Sequence, residues 1–95
     1  MDKTGIIKKL RENQAFLNQV GVKKLYLFGS HARGEQTTQS DLDFVVELQK
    51  KSFDSFMDLK LFLEKLFECH VDLVLADSLK PRLRTHIMRE MIDAA

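Results

Sequence analysis

The sequence predicts one α/β (α+β) domain, a small sheet covered by helices in the order α-β-β-α-β-α. Three observations carry that expectation. Apolar residues recur at helical spacing in three separate segments. Three short β-branched or aromatic runs lie between them, and Gly21, Gly29, Gly34 and Pro81 stand at several of the points where the pattern changes. With 95 residues the chain is read as a single domain spanning 1–95, near the lower end of what builds its own core.

The first segment, TGIIKKLRENQAFLNQV (4–20), sets Ile6, Leu10, Leu17 and Val20 at helical spacing with Ile7 alongside. Thr4 is its candidate N-cap, and Gly21 its C′ residue. KKLYLF (23–28) and DLDFVVEL (41–48) read as strands, the second rich in β-branched and aromatic residues. DSFMDLKLFLEKLFE (54–68) reads as a helix with Phe56, Leu59, Leu63 and Leu66 on one stripe and Asp54 in its first turn. HVDLVLA (70–76) is a third strand. Pro81 suits the first turn of a last helix, with Leu83, Ile87, Met88, Met91 and Ile92 as its apolar edge. Three short strands make a modest core and leave an edge or an apolar face open, so a partner is expected.

Composition narrows the class. Hydrophobic residues are 44% and charged residues 31%, which fits a globular chain and excludes a disordered one. The N-terminus MDKTGIIKKL has no apolar signal core, and no apolar run is long enough to cross a bilayer. The single cysteine, Cys69, has no internal partner, which points to a reducing, cytoplasmic setting. The net charge of +1 creates no global field for nucleic acid. One run is nevertheless basic: KPRLRTHIMRE (80–90) carries four Lys/Arg against one Glu. It reads either as a solvated helix face or as a surface for an anion or a partner.

The stretch LYLFGSHARGEQTTQSDLDFVVEL (25–48) carries the chemistry. Gly29 permits a positive-φ turn and close approach of a ligand. Ser30 stands where a helix N-cap would, and HAR makes about one turn before Gly34 stops it. Free N–H groups at such a turn favour phosphate. An ordinary strand-to-helix turn is the plainer reading of the same residues.

Asp41 and Asp43, one residue apart at a strand start, point to the same face, while Leu42 points to the other with Phe44 and Val46. Adjacent carboxylates repel, and a divalent cation removes the conflict. Mg²⁺ characteristically binds one or two carboxylates together with substrate phosphates. The competing reading is a polar loop-to-strand boundary. Asp72, inside the apolar run 70–76, completes a three-carboxylate cluster if its strand lies beside 41–48; otherwise it is a polar residue on a solvated sheet face. Together, a phosphate-seeking turn and three carboxylates suit nucleotidyl transfer from a Mg²⁺–nucleoside triphosphate.

These residues resemble a known family. GSHARGEQTTQSDLDFVV is similar to the G-S-x-A-R-G…S-D-x-D signature of the DNA polymerase β-like nucleotidyltransferase superfamily. With VDLV downstream and so short a chain, it resembles the minimal nucleotidyltransferase group, including its MntA-type antitoxins. The resemblance implies a small mixed sheet flanked by helices, the palm of that superfamily. It implies that Gly29 and Ser30 hold the β- and γ-phosphates of ATP. Asp41, Asp43 and Asp72 would be catalytic and would ligate Mg²⁺, in a two-metal site, with Asp72 also helping to deprotonate the acceptor hydroxyl. Arg33 would either reach phosphate or lock the turn by pairing with an acid, the structural role being favoured. Ser40 would cap or orient the loop. His31 occupies the variable position and receives no role; His70 and His86 are read as surface or structural residues. Nothing has the Cys/His spacing of a zinc site.

The resemblance also implies a partner and a reaction: AMP moves from ATP to a tyrosine of a cognate HEPN-type (HepT-like) ribonuclease toxin, which this chain would silence as an antitoxin. Neither a membrane nor direct nucleic-acid binding is expected. Two other readings stand beside it. One is a non-catalytic antitoxin that acts by occlusion; the other is a nucleotidyltransferase with a small-molecule or RNA acceptor.

Overall fold

The computed structural model describes residues 2–35, 41–50 and 52–95. The elements are α1 (Lys3–Glu12), α2 (Gln14–Gln19), β1 (Val22–Phe28), α3 (Ser30–Arg33), β2 (Leu42–Leu48), α4 (Phe53–Phe67), β3 (Val71–Leu75), α5 (Pro81–Glu90) and β4 (Ile92–Asp93), with a 3₁₀ turn at Ala76–Ser78 before α5. The four strands form one mixed sheet in the order β3-β2-β1-β4. β1 runs antiparallel to both β2 and β4, and β2 runs parallel to β3 across the α4 crossover. The α/β fold class is as expected.

Strand alternation sorts the sheet into two faces. Leu25 and Leu27 of β1, Phe44 and Val46 of β2 and Leu73 of β3 point to one face, where Ile6 and Leu10 of α1, Leu17 of α2 and Leu59, Leu63 and Phe67 of α4 close over them. Burying a leucine there contributes roughly 1.5–3 kcal/mol. Phe16 of α2 stacks on Phe62 of α4 at 4.1 Å between ring centroids, which joins the two helices over this core. The opposite face carries Tyr26, Phe28 and Val45, covered by Ile87 of α5 and by Met91 just after it. Asp43 and Asp72 have the parity of Val45 and therefore lie on this second face.

Several boundaries differ from the sequence reading. The expected helix 4–20 is two helices, broken at Asn13, whose side-chain amide donates to the Lys9 carbonyl at 2.8 Å and competes with the backbone ladder. The N-cap of α1 is Asp2, which accepts from the Gly5 N–H at 2.9 Å, rather than Thr4. Gly21 does end α2, at φ +87°. Helix α4 is capped by Ser52, whose hydroxyl accepts from the Ser55 N–H at 3.0 Å. It closes on Glu68, a non-glycine residue at φ +54°.

The C-terminus holds the largest correction. Ile92 is not part of the last helix; it belongs to a fourth strand and pairs with Leu27 of β1. Helical spacing continues through Met91 and Ile92 in the sequence, so periodicity could not place the break. The backbone of β1 has an unfilled edge, and residues 92–95 satisfy it: Ala94 N–H donates to the Leu25 carbonyl at 2.8 Å, and Leu25 N–H donates to Ala95 at 3.1 Å. Leu83 and Met88, expected on an apolar edge, are about half exposed. Among the described residues no helix is long and apolar enough to cross a membrane.

Candidate active site

The site is built where β1 ends, β2 begins and β3 begins. Phe28, the last residue of β1, is the register partner of Asp43. The chain then turns at Gly29, with φ +76° and ψ −155°, a conformation an L side chain resists. There is a second constraint. A Cβ at residue 29 would drive into the Asp43 carboxylate, whose Cγ lies only 3.1 Å from that position. Gly29 thus lets the carboxylate pass over bare backbone.

Gly29, rather than Ser30, is the N-cap of the one-turn helix α3, and Ser30 is its first residue. The first N–H groups of a helix have no acceptor within it, so this turn still aims donors at the space beside Asp43. Gly34 stops the turn in the left-handed region at φ +74°, as expected from the sequence.

Asp43 and Asp72 are register partners on the parallel strands β2 and β3, so the adjacency on which the third carboxylate depended is present. Asp41 lies one residue before β2. Its Oδ2 is 3.3 Å from His70 Nδ1, which in turn is 3.7 Å from Asp72 Oδ1. Ligand atoms of Asp41, His70 and Asp72 all lie within 4.8 Å of one another.

Asp43, half-buried beside this cluster, is pushed up to about 6 from an ordinary 3.8. Burial is the main cause, followed by the charge of Asp72, a hydrogen bond with the Asp72 carboxyl and the charge of Asp41. Repulsion among these carboxylates is thus offset only in part. Arg33 opposes the shift only weakly because its guanidinium is committed elsewhere: Nε to Glu35 at 3.1 Å and Nη1 to Glu90 of α5 at 3.1 Å. Crowded carboxylates with one imidazole are chemically suited to a divalent ion. The excess of oxygen donors matches a hard one such as Mg²⁺.

Two histidines stand closer to the site than the sequence reading placed them. His70 is exposed at the surface, as read, but it stands among the carboxylates. The signal was present: it precedes Asp72 by two positions and so shares its strand face. His31 is 6% exposed, and its Nδ1 has no hydrogen-bond partner among the described residues. Burial holds its imidazole below the usual range, while a hydrogen bond to the Asp41 backbone acts the other way. It therefore links α3 to the start of β2, a contact the sequence does not reveal. His86 is exposed, as expected. Ser40, read as a loop-orienting residue, lies outside the described residues.

A parallel strand pair that aligns carboxylates beside a glycine turn defines a nucleotidyltransferase palm. The chain belongs to the nucleotidyltransferase domain family, whose model matches residues 7–94. It is 36% identical over 86 residues to the protein adenylyltransferase MntA of Thermococcus cleftensis, covering 90% of this chain and 81% of that protein. A solved minimal nucleotidyltransferase superposes with a TM-score of 0.83 at 34% identity, covering 97% of this chain and 95% of that one. A toxin–antitoxin structure with AMP-PNP aligns at 26% identity and TM-score 0.72, over all of this chain and 73% of the other. The resemblance to minimal nucleotidyltransferases is thus borne out in sequence and in fold.

Proposed function

We propose that this chain is a Mg²⁺-dependent protein adenylyltransferase, a single minimal domain that moves AMP from ATP to a hydroxyl of a partner protein. The partner we infer is a HEPN-type (HepT-like) ribonuclease toxin, with a tyrosine as acceptor and the chain acting as its antitoxin in the cytoplasm. The observation that carries the activity is the register pairing of Asp43 with Asp72, with Asp41 alongside and Gly29 holding the backbone clear. The relative named a protein adenylyltransferase and the toxin–antitoxin structure with an ATP analogue support the acceptor and the nucleotide.

Asp41, Asp43 and Asp72 would hold Mg²⁺, which when bound supplies positive charge to the triphosphate and to the reacting oxygens. The remaining work belongs to the chain. Backbone N–H groups of the Gly29–Ser30 turn orient the β- and γ-phosphates. Asp72, open to solvent at the edge of the cluster, takes the proton of the acceptor hydroxyl. The freed oxygen bonds to the α-phosphorus, the bond from that phosphorus to the α,β-bridging oxygen breaks, and pyrophosphate leaves. Arg33 braces the turn through Glu35 and Glu90 rather than reaching phosphate. His31 holds the Asp41 backbone from beneath.

The test is label transfer. Purified protein, Mg²⁺ and α-labelled ATP are incubated with lysate of the native host beside an Asp41→Asn/Asp43→Asn control. One labelled small protein that vanishes in the folded control is expected. Equal labelling by the control would overturn the assignment. Occlusion without chemistry is the second reading, motivated by the exposed basic helix α5. It gains if the double-Asn variant still protects cells from the toxin. Label on RNA or a small molecule would instead move the acceptor to that class.

A further inference from the structure

Helix α5 is the least covered element on the sheet face that carries the aspartates. Of its ten residues only Ile87 is buried. Arg82, His86 and Arg89 recur at i, i+4 and i+7 and are all exposed, so they form one outward stripe. Leu83, 49% exposed, adjoins that stripe as the i−3 neighbour of His86. Among the described residues neither Arg82 nor Arg89 has an ion-pair partner; the one acid of the helix, Glu90, is taken by Arg33.

That Arg33–Glu90 contact, at 3.1 Å, also fixes where the stripe sits. It ties the C-terminal end of α5 to α3, the helix that follows the Gly29 turn. On its inner side Ile87 clusters with Val45, two residues along β2 from Asp43. A molecule lying on the outer side of α5 therefore ends beside the carboxylates.

Unpaired arginines beside an exposed leucine are the chemistry of a protein interface, where guanidinium groups meet carboxylates and an apolar side chain anchors the contact. Helix α5 has no Phe, Tyr or Trp, and the chain's net charge of +1 makes no global field for nucleic acid. We propose that the outward face of α5 docks an acidic segment of the acceptor protein, with Arg82 and Arg89 meeting its carboxylates and Leu83 an apolar side chain. Docking there delivers the acceptor hydroxyl to the Asp43–Asp72 end of the sheet. The proposal rests on the protein-acceptor reading above.

Arg82→Glu/Arg89→Glu is compared with Arg82→Ala/Arg89→Ala and the unaltered chain. The probe is the host's own HEPN-type protein, purified unmodified. Its binding is measured by calorimetry at about 50 and 300 mM salt, and AMP transfer is followed against its concentration. Both arginines are exposed, so the unfolding temperature should move little. The charge reversal should raise Kd and the acceptor KM by roughly tenfold or more, the alanine pair by less, and leave the KM for ATP unchanged. Binding by the unaltered chain should weaken more steeply with salt than that of either variant.

Unchanged acceptor binding in the reversed variant overturns the proposal and leaves the adenylyltransferase reading intact. So does an oligouridylate that binds more tightly than the protein and is lost on reversal, which would assign the stripe to RNA. If the unaltered chain binds the protein without transferring AMP, and the reversal abolishes that binding, the docking surface stands and the catalytic reading falls.

Discussion

Asp43 and Asp72 face each other across the parallel pair β2–β3, and burial, followed by the charge of Asp72, pushes the Asp43 carboxyl up to about 6. The unfolded chain releases that proton near the ordinary 3.8. Folding therefore takes up a proton between these values. The contribution of Asp43 to stability is fully present below about 3.8 and is lost as pH rises through about 6. Two units would correspond to nearly 3 kcal/mol, but the group is only partly buried, and solvent screening reduces this to roughly 1 kcal/mol. Asp43→Asn should thus raise the unfolding temperature at pH 7.5 without divalent ions and leave it nearly unchanged at pH 4. Thermal unfolding across pH measures both. Added Mg²⁺ should stabilise the unaltered protein at pH 7.5 but not Asp41→Asn/Asp43→Asn.

Gly29→Ala should damage the site more than its size suggests. The new Cβ meets the Asp43 carboxylate, and alanine resists φ +76°. We expect a loss of about 1–3 kcal/mol in denaturant unfolding from the strained backbone. AMP transfer should fall at least a hundredfold at temperatures where the variant remains folded, because the carboxylate must move by a large fraction of an ångström.

Glu68→Gly should stabilise the protein. Glu68 closes α4 at φ +54°, ψ +41°, where glycine pays no steric penalty. A gain of about 0.5–1 kcal/mol in chemical unfolding, with unchanged AMP transfer, is expected.

Leu61 and Leu63 sit two positions apart on α4 and separate its two faces. Leu63 is fully buried against the sheet, whereas Leu61 is 57% exposed. Leu63→Ala should cost about 2–5 kcal/mol and Leu61→Ala within about 0.5 kcal/mol in the same assay.

The sequence alone determined the elements that local physics specifies. The stripe of α4, the runs that became β1, β2 and β3, and the stops at Gly21 and Gly34 follow from side-chain period and from backbone conformations that glycine tolerates. It also determined the chemical content of the site, since Gly29, Asp41 and Asp43 lie within one short stretch and alternation puts both aspartates on one face. Tertiary structure decided what depends on distant partners. Asp72 joins the cluster only because the α4 crossover lays β3 parallel to β2, and His70 comes with it by the same alternation. The break at Asn13 and the turn of Ile92 into β4 were hidden, because in both places the apolar spacing runs on in helical register. Side-chain competition ends one helix there, and the unpaired edge of β1 ends the other. His31 was unreadable for a related reason: a polar residue in a polar turn reveals its burial only once β2 has been packed over it.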